Sequence, residues 1–254
     1  MSKLIAMAGK GGTGKTTIAG FLIRYLIDHE IRPILAVDAD PNSNLNEVLG
    51  VEVHLTLGEA REGLKNDVPP GMTRDMYMEY KIQEALVEEK NFDLLVMGRP
   101  EGAGCYCHAN SLLSKYMDRL AGNYRAIVMD NEAGMEHISR LVAKEPEVLL
   151  IISDPTIRGV QAAERIFNLS QELNLGVKKA YLIINRVVGA LPESVGGFIK
   201  KSNIVLAGCV PEDHIVSEFD AQGKPTLNLP KDSKAIQAIT EIFKNIVPEF
   251  CPEN

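Results

Sequence analysis

The sequence predicts an α/β fold: a mostly parallel, doubly wound sheet flanked by helices on both faces. Three observations carry that expectation. Short apolar runs alternate with helical patterns along the 254 residues. Several runs are continuously apolar, as in Ala-Ile-Val-Met at 126–129, which marks a strand buried on both faces. The stretches that look functional follow such runs directly, at strand carboxyl ends, where open parallel sheets bind ligands. Composition agrees with this. Apolar residues make up 45% and charged residues 24%, and the length suits one domain over 1–254 with a full-sized core. The net charge of −7 argues against a nucleic-acid partner, which needs a basic face. No apolar run reaches the length of a membrane span, and the first strand starts too early to leave room for a signal peptide. A cytoplasmic protein with no membrane partner is the expectation.

Residues 3–8 read as a buried strand running into Gly9-Lys10-Gly11-Gly12-Thr13-Gly14-Lys15-Thr16-Thr17. Apolar Ile18, Phe21, Leu22, Tyr25 and Leu26 then carry a helix from Thr16 to about His29. Strand, glycine turn and helix are the setting a phosphate-binding P-loop needs, and glycine, lysine and threonine stand at its fixed offsets. Small residues over Gly11, Gly12, Thr13 and Gly14 let successive N–H groups turn toward an anion. The helix N-terminus adds its positive end. Lys15 can reach β- and γ-phosphates, the Thr16 hydroxyl can ligand Mg²⁺, and Thr17 is expected on the α-phosphate.

Residues 34–37 form a second strand ending in Asp38-Ala39-Asp40-Pro41, and 45–49 a short helix. The pattern loosens over 55–89, where Gly63, Pro69-Pro70 and Gly71 mark loops. Residues 72–90 are partly helical, and their Met76, Tyr77, Met78 and Tyr80 read as packing, with a binding surface as the alternative. A strand over 92–97 leads into a loop through His108 that contains Cys105-Tyr106-Cys107. Asn110 caps a helix to about Leu120. The strand at 126–129 ends at Asp130, followed by Ala133-Gly134. Further strands cover 148–152, 180–184 (ending at Asn185) and 204–210 (ending at Pro211-Glu212). Long helices start near Gly159 and span 233–246.

Cys105 and Cys107 stand apart from this scaffold. Two thiolates two residues apart bind one metal ion but half-fill a four-coordinate site. A symmetric dimer brings a second pair and completes it. Zn²⁺ suits such a site, and Ni²⁺ is open to it in a planar arrangement. A redox pair, a persulfide carrier or two unrelated cysteines are the alternatives. Cys209 reads as core, and neither it nor Cys251 has a partner at metal spacing.

With these stretches in view, the chain resembles the MinD/ParA/nitrogenase-iron-protein group of deviant Walker A ATPases, P-loop NTPases of the SIMIBI type. Lys10, directly after Gly9 in the run to Thr16, carries the likeness. The resemblance implies a Mg²⁺-dependent ATPase that forms an ATP-dependent homodimer, with Lys10 crossing to the partner's nucleotide. It implies that Asp130 and Gly134 are Walker B and switch II, Asp130 holding the Mg²⁺ water shell and Gly134 offering its N–H to the γ-phosphate. It sets Asp38 and Asp40 at switch I. Asp40 would orient or deprotonate the attacking water and Asp38 support Mg²⁺ through water, two roles open to exchange. Asn185 resembles the group's adenine-contacting asparagine, and Val210, Pro211 and Glu212 fall in the loop whose backbone packs on the base. The C-x-C loop ahead of Asp130, with Asp-Asn-Glu-Ala-Gly-Met-Glu-His over 130–137, resembles the CooC group. These are nickel-maturation ATPases for carbon monoxide dehydrogenase, and AcsF is the related factor for acetyl-CoA synthase. That likeness implies a metallochaperone whose Cys105 and Cys107 hold Ni²⁺, or Zn²⁺ in its place, for one of those two clients. An Fe–S electron-transfer ATPase similar to the nitrogenase iron protein is an alternative. A MinD- or ParA-like positioning ATPase is another, although the acidic, proline-broken tail lacks a basic amphipathic helix.

Overall fold

The computed structural model describes residues 2–42, 44–66, 68–98, 119–131, 146–173 and 175–249. Their strands are β1 (Lys3–Gly9), β2 (Ile34–Asp38), β3 (Val87–Glu88), β4 (Asp93–Val96), β5 (Ala126–Asp130), β6 (Val148–Ser153), β7 (Lys179–Val187) and β8 (Val205–Pro211). All join one sheet in the order β3-β4-β2-β5-β1-β6-β7-β8. Every pairing is parallel except that of the two-residue edge strand β3 with β4. The mostly parallel, doubly wound sheet is therefore present, and β1 lies at its centre between β5 and β6.

The helices are α1 (Lys15–Asp28), α2 (Leu45–Leu49), α3 (Leu57–Asn66), α4 (Arg74–Ala85), α5 (Ile157–Glu172), α6 (Glu193–Ile199), α7 (His214–Ala221) and α8 (Lys234–Ile246). The two-residue period of the strands divides the core between the sheet's faces. Ile5, Met7, Ala36, Val128, Leu150 and Ile183 face α1 and α8. Leu4, Leu35, Val37 and Ile127 face α4. Ala6, Ala8, Leu149, Ile151 and Leu182 face α5 and α6. Apolar runs without alternation follow directly from cover on both sides. Helix α8 shows the complementary pattern, burying Ala235, Ile236, Ile239, Ile242, Phe243 and Ile246 at helical spacing. Phe243 meets Tyr25 of α1 edge-on at 5.7 Å. Close packing also needs Gly20, because a Cβ there would lie 2.3 Å from Val48 of α2.

Two sequence expectations need correction, Gly63 as a loop marker and Met76 and Tyr80 as packing. Gly63 lies inside α3, not in a loop, because Thr56 and Glu59 form a capping box that starts the helix: the Glu59 carboxylate accepts from the Thr56 N–H at 2.7 Å and from its hydroxyl at 2.8 Å. The stretch read as partly helical over 72–90 is so: its helix ends at Ala85 and the chain continues as β3, antiparallel to β4. Packing accounts for Tyr77 and Met78, which are buried, but not for Met76 and Tyr80, which are 56% and 54% exposed. Helices α6 and α7 have no counterpart in the sequence reading. The cap expected at Asn110 lies outside the described residues. Among the described residues no helix is long and apolar enough to cross a membrane.

Candidate functional site

The site forms where β1 gives way to α1. A Cβ on Gly9 would sit 2.3 Å from the Ile152 carbonyl of β6, so the turn can start only at glycine. Gly14 caps α1 from the left-handed region at φ 89°, and a Cβ there would sit 2.5 Å from Asn185 Nδ2. Gly11 and Gly12 face open space. The turn is braced from within. Lys10 O accepts from the Thr13 hydroxyl at 2.9 Å and from Lys15 Nζ at 3.5 Å. Helix α1 has no side-chain cap and no acidic residue in its first turn. Its N–H groups and positive dipole end thus remain open to an anionic ligand.

Two carboxylates complete the floor. Strands β2 and β5 are neighbours, and their register sets Asp38 opposite Asp130. Asp38 is fully buried, accepting from Asp40 N–H at 3.1 Å and from Leu45 N–H at 2.9 Å. Burial pushes its pKa up to about 6, against the pull of those two N–H groups. Burial also raises Asp130, to about 7; the Thr16 hydroxyl and Lys15 oppose the rise, while Asp38 and Asp40 add to it. Asp130 Oδ1 is buried and has no hydrogen-bond partner among the described residues. A hydroxyl and hard carboxylate oxygens, one with an orphaned buried atom, form a donor set that fits Mg²⁺. Asn131 then donates to Met7 O at 2.8 Å, fastening the exit of β5 to β1.

Two adjoining cavities lead outward from this floor. One of about 480 Å³ is lined by Gly11, Gly12, Lys15, Thr16, Asp40 and Arg186, among others. The second, of about 340 Å³, opens between α1 and the ends of β7 and β8, with Phe21, Asn185, Pro211 and Glu212 in its wall. Thr17 and Arg186 border both. A phosphate chain suits the first cavity and a base the second. Asp40 stands half-buried at the first cavity, its Oδ1 accepting from the Asn42 N–H at 2.8 Å.

The remaining expected residues are placed unevenly. Asn185 lines the second cavity, and its Nδ2 also donates to Thr13 O at 2.9 Å, tying β7 to the loop. The Val210 side chain is in the core and does not line either cavity. Lys10 is exposed beside the cradle. Cys105, Cys107 and Gly134 lie outside the described residues. Among the described residues no group of three or more His, Cys, Asp or Glu side chains is placed to hold a metal. The free Cys209 is half-buried, and burial raises its thiol pKa.

Sequence reasoning gave no role to Arg186 or Asp220 and placed Asp213 only as a weak contact in the base-side loop; all three line the second cavity. Asp213 had a signal, since an aspartate directly before an apolar helical run marks an N-cap. Its Oδ1 accepts from Ile215 N–H at 3.0 Å, and its Oδ2 from the Ser233 hydroxyl at 2.7 Å and Ala235 N–H at 3.1 Å.

Comparison with known proteins bears on this geometry. The family described as the CobQ/CobB/MinD/ParA nucleotide binding domain matches residues 4–227. An uncharacterized ATP-binding protein of Methanocaldococcus jannaschii is 42% identical over 249 residues, covering 96% of this chain and 98% of that protein. The carbon monoxide dehydrogenase accessory protein CooC of Rhodospirillum rubrum is 30% identical over 234 residues, covering 86% of this chain and 87% of that protein. Among solved structures, the septum site-determining protein MinD of Pyrococcus horikoshii, in complex with Mg-ADP, superposes with a TM-score of 0.72. It covers 97% of this chain and 96% of its own, at 23% identity, which speaks for the fold.

Proposed function

The chain belongs to the CobQ/CobB/MinD/ParA nucleotide-binding family of P-loop ATPases, and from that premise we propose that it is an ATP-hydrolysing nickel metallochaperone of the cytoplasm. Its client is carbon monoxide dehydrogenase or acetyl-CoA synthase. The observation that carries the reading is its likeness to CooC, an accessory protein of carbon monoxide dehydrogenase, over most of both chains. The Cys105-Tyr106-Cys107 stretch supports it.

In this reading the residues divide the work as follows. N–H groups from Gly11 to Thr16, with Lys15, hold the β- and γ-phosphates. Thr16 and Asp130 would hold Mg²⁺, with Asp38 behind them through water; when bound, the ion would supply positive charge against the phosphates. Asp40, at the first cavity, orients the attacking water. Asn185 and the backbone from Val210 to Glu212 receive adenine in the second cavity. Lys10 of each protomer completes the partner's site, so hydrolysis waits for a closed dimer. The Gly134 N–H registers the γ-phosphate. Nickel is cargo, held by the paired Cys105 and Cys107 thiolates of two protomers and released when the dimer state changes. A positioning ATPase of the MinD or ParA kind fits the same family and shares everything in this account except the cargo.

Anaerobic nickel titration separates these readings. Wild type with ATP is expected to bind about one Ni²⁺ per two chains, and the Cys105→Ala/Cys107→Ala variant none. Unchanged binding in the variant removes the C-x-C site. Iron and sulfide in the wild type point to the electron-transfer ATPase. ATP-dependent dimers without any metal point to the positioning ATPase.

A further inference from the structure

Arg186 follows the residue assigned to adenine, and the mechanism above gives it no task. Its setting is unusual in three ways. Its backbone lies in the left-handed region at φ 58°, a conformation that a residue with a Cβ rarely adopts and that clusters at functional sites. The Asn185 side chain holds that bend by accepting from the Arg186 N–H at 3.0 Å. The bend turns the side chain back over the nucleotide loop, where Nη1 donates to Gly12 O at 3.2 Å. The guanidinium is nevertheless exposed.

Its position matters more than its bond. Thr17 and Arg186 are the two residues that border both cavities. A nucleotide with phosphates in the first cavity and a base in the second must pass its ribose and α-phosphate between them. Charge points the same way. Lys15 and Arg186 are the only cationic side chains among the described residues lining the two cavities, whereas Asp40, Glu47, Glu212, Asp213 and Asp220 bring carboxylates. Lys15 lies on the phosphate-side turn, against Lys10 O. The sugar end of the phosphate chain has no other cation in the described lining. Asp220, raised by burial and lowered in turn by the Arg186 charge, lines the second cavity together with Arg186.

We propose that Arg186 is a nucleotide clamp: its guanidinium leaves the Gly12 carbonyl on binding and closes over the α-phosphate and ribose, opposite Thr17. The parked position explains why an exposed arginine is held at a costly backbone angle. The Gly12 carbonyl keeps the side chain at the junction before nucleotide arrives, so only a short swing is needed. A guanidinium suits this place because its fork can bridge a phosphate oxygen and a ribose hydroxyl together. The inference rests on the nucleotide site alone and not on nickel as cargo.

Calorimetric titration of wild type and Arg186→Ala with ADP and with pyrophosphate, both with Mg²⁺, tests the clamp. Alanine keeps a Cβ at the same φ, so the backbone is no more and no less strained. ADP affinity is expected to fall about ten- to a hundredfold, the worth of a charge-assisted contact. Pyrophosphate, which fills the cradle but has neither α-phosphate nor sugar, is expected to bind both proteins alike and shows that the variant is folded. An equal loss for both ligands would mean that Arg186 merely shapes the loop through Gly12, and overturns the clamp. ADP affinity unchanged by the substitution overturns it as well. Wild type that binds pyrophosphate but not ADP would overturn the assignment of the second cavity, and the clamp with it.

Discussion

Asp130 is a residue at which function works against stability. Its side chain is 1% exposed, one of its oxygens has no partner among the described residues, and Asp38 faces it across the β2–β5 register. Burial raises its pKa from 3.8 to about 7. Between those values the folded chain holds a proton that the unfolded chain has released, so this carboxyl costs stability as pH rises through that window. Asparagine keeps the acceptor for the Thr16 hydroxyl and never ionises. Without metal or nucleotide, Asp130→Asn is therefore expected to be more stable than wild type at about pH 8, by roughly 1–3 kcal/mol. At about pH 4, near the unfolded value of 3.8, the unfolded carboxyl also regains its proton and the gap should largely close. Urea unfolding in a chelator at the two pH values measures the difference. ATP hydrolysis should fall at least about a hundredfold, because the proposed role of the lost charge is to meet Mg²⁺. A variant less stable than wild type at the higher pH would show that the carboxylate is satisfied after all.

Helices α7 and α8 share one anchor. Asp213 holds the first turn of α7 through Oδ1 and the start of α8 through Oδ2, and together these helices wall the second cavity. Burial pushes the Asp213 carboxyl up, but the hydrogen bonds from Ser233, Ala235 and Ile215, with His214 nearby, outweigh it, and its pKa lies below 3.8. Its contribution is thus complete above that value and is lost as pH falls through the folded one. Asp213→Asn keeps one accepting oxygen and leaves the other helix start unsatisfied. It should cost about 1–3 kcal/mol near neutral pH. The gap should narrow once pH falls below 3.8, as the wild-type carboxyl is driven toward its protonated form. Midpoints of denaturant unfolding at both pH values check the size and the trend. The sequence made the local elements readable and left the assembled ones hidden. The P-loop could be read because its glycines and Lys15 obey fixed short offsets. Strand β3 has two residues, too few to show a period. Helix α3 was obscured because Gly63 was weighed without the Thr56–Glu59 box that precedes it. Asn185 and Arg186 meet the loop at Thr13 and Gly12, 172 and 174 residues away in the chain, and only the strand order brings them there.

Over the whole molecule, the strand ends, the open N-terminus of α1 and both cavities gather at one edge of the sheet. Lys10 stands exposed at that edge. Its carbonyl is taken by Thr13 and Lys15, which fixes the backbone and leaves the ammonium free to leave the protomer. Within its own chain it does not line the cavity that Lys15 lines. A cation placed beside a phosphate site but outside its lining suits a partner's nucleotide better than its own. The net charge of −7 makes close approach of two copies unfavourable at low salt, so positive charge delivered to the shared edge has a disproportionate effect. Lys10→Ala should then bind ADP as wild type does, because its own cradle is intact. It should fail to dimerise with ATP, and its turnover should drop about a hundredfold or more. Light scattering behind a sizing column, with and without ATP, reads the first effect. The dependence of rate on protein concentration reads the second: steeper than linear for wild type at low concentration, linear for the variant. Equal turnover in the two proteins, linear in both, would mean that each chain hydrolyses ATP alone, and the cavity pair described here would then have to supply every catalytic group from one protomer.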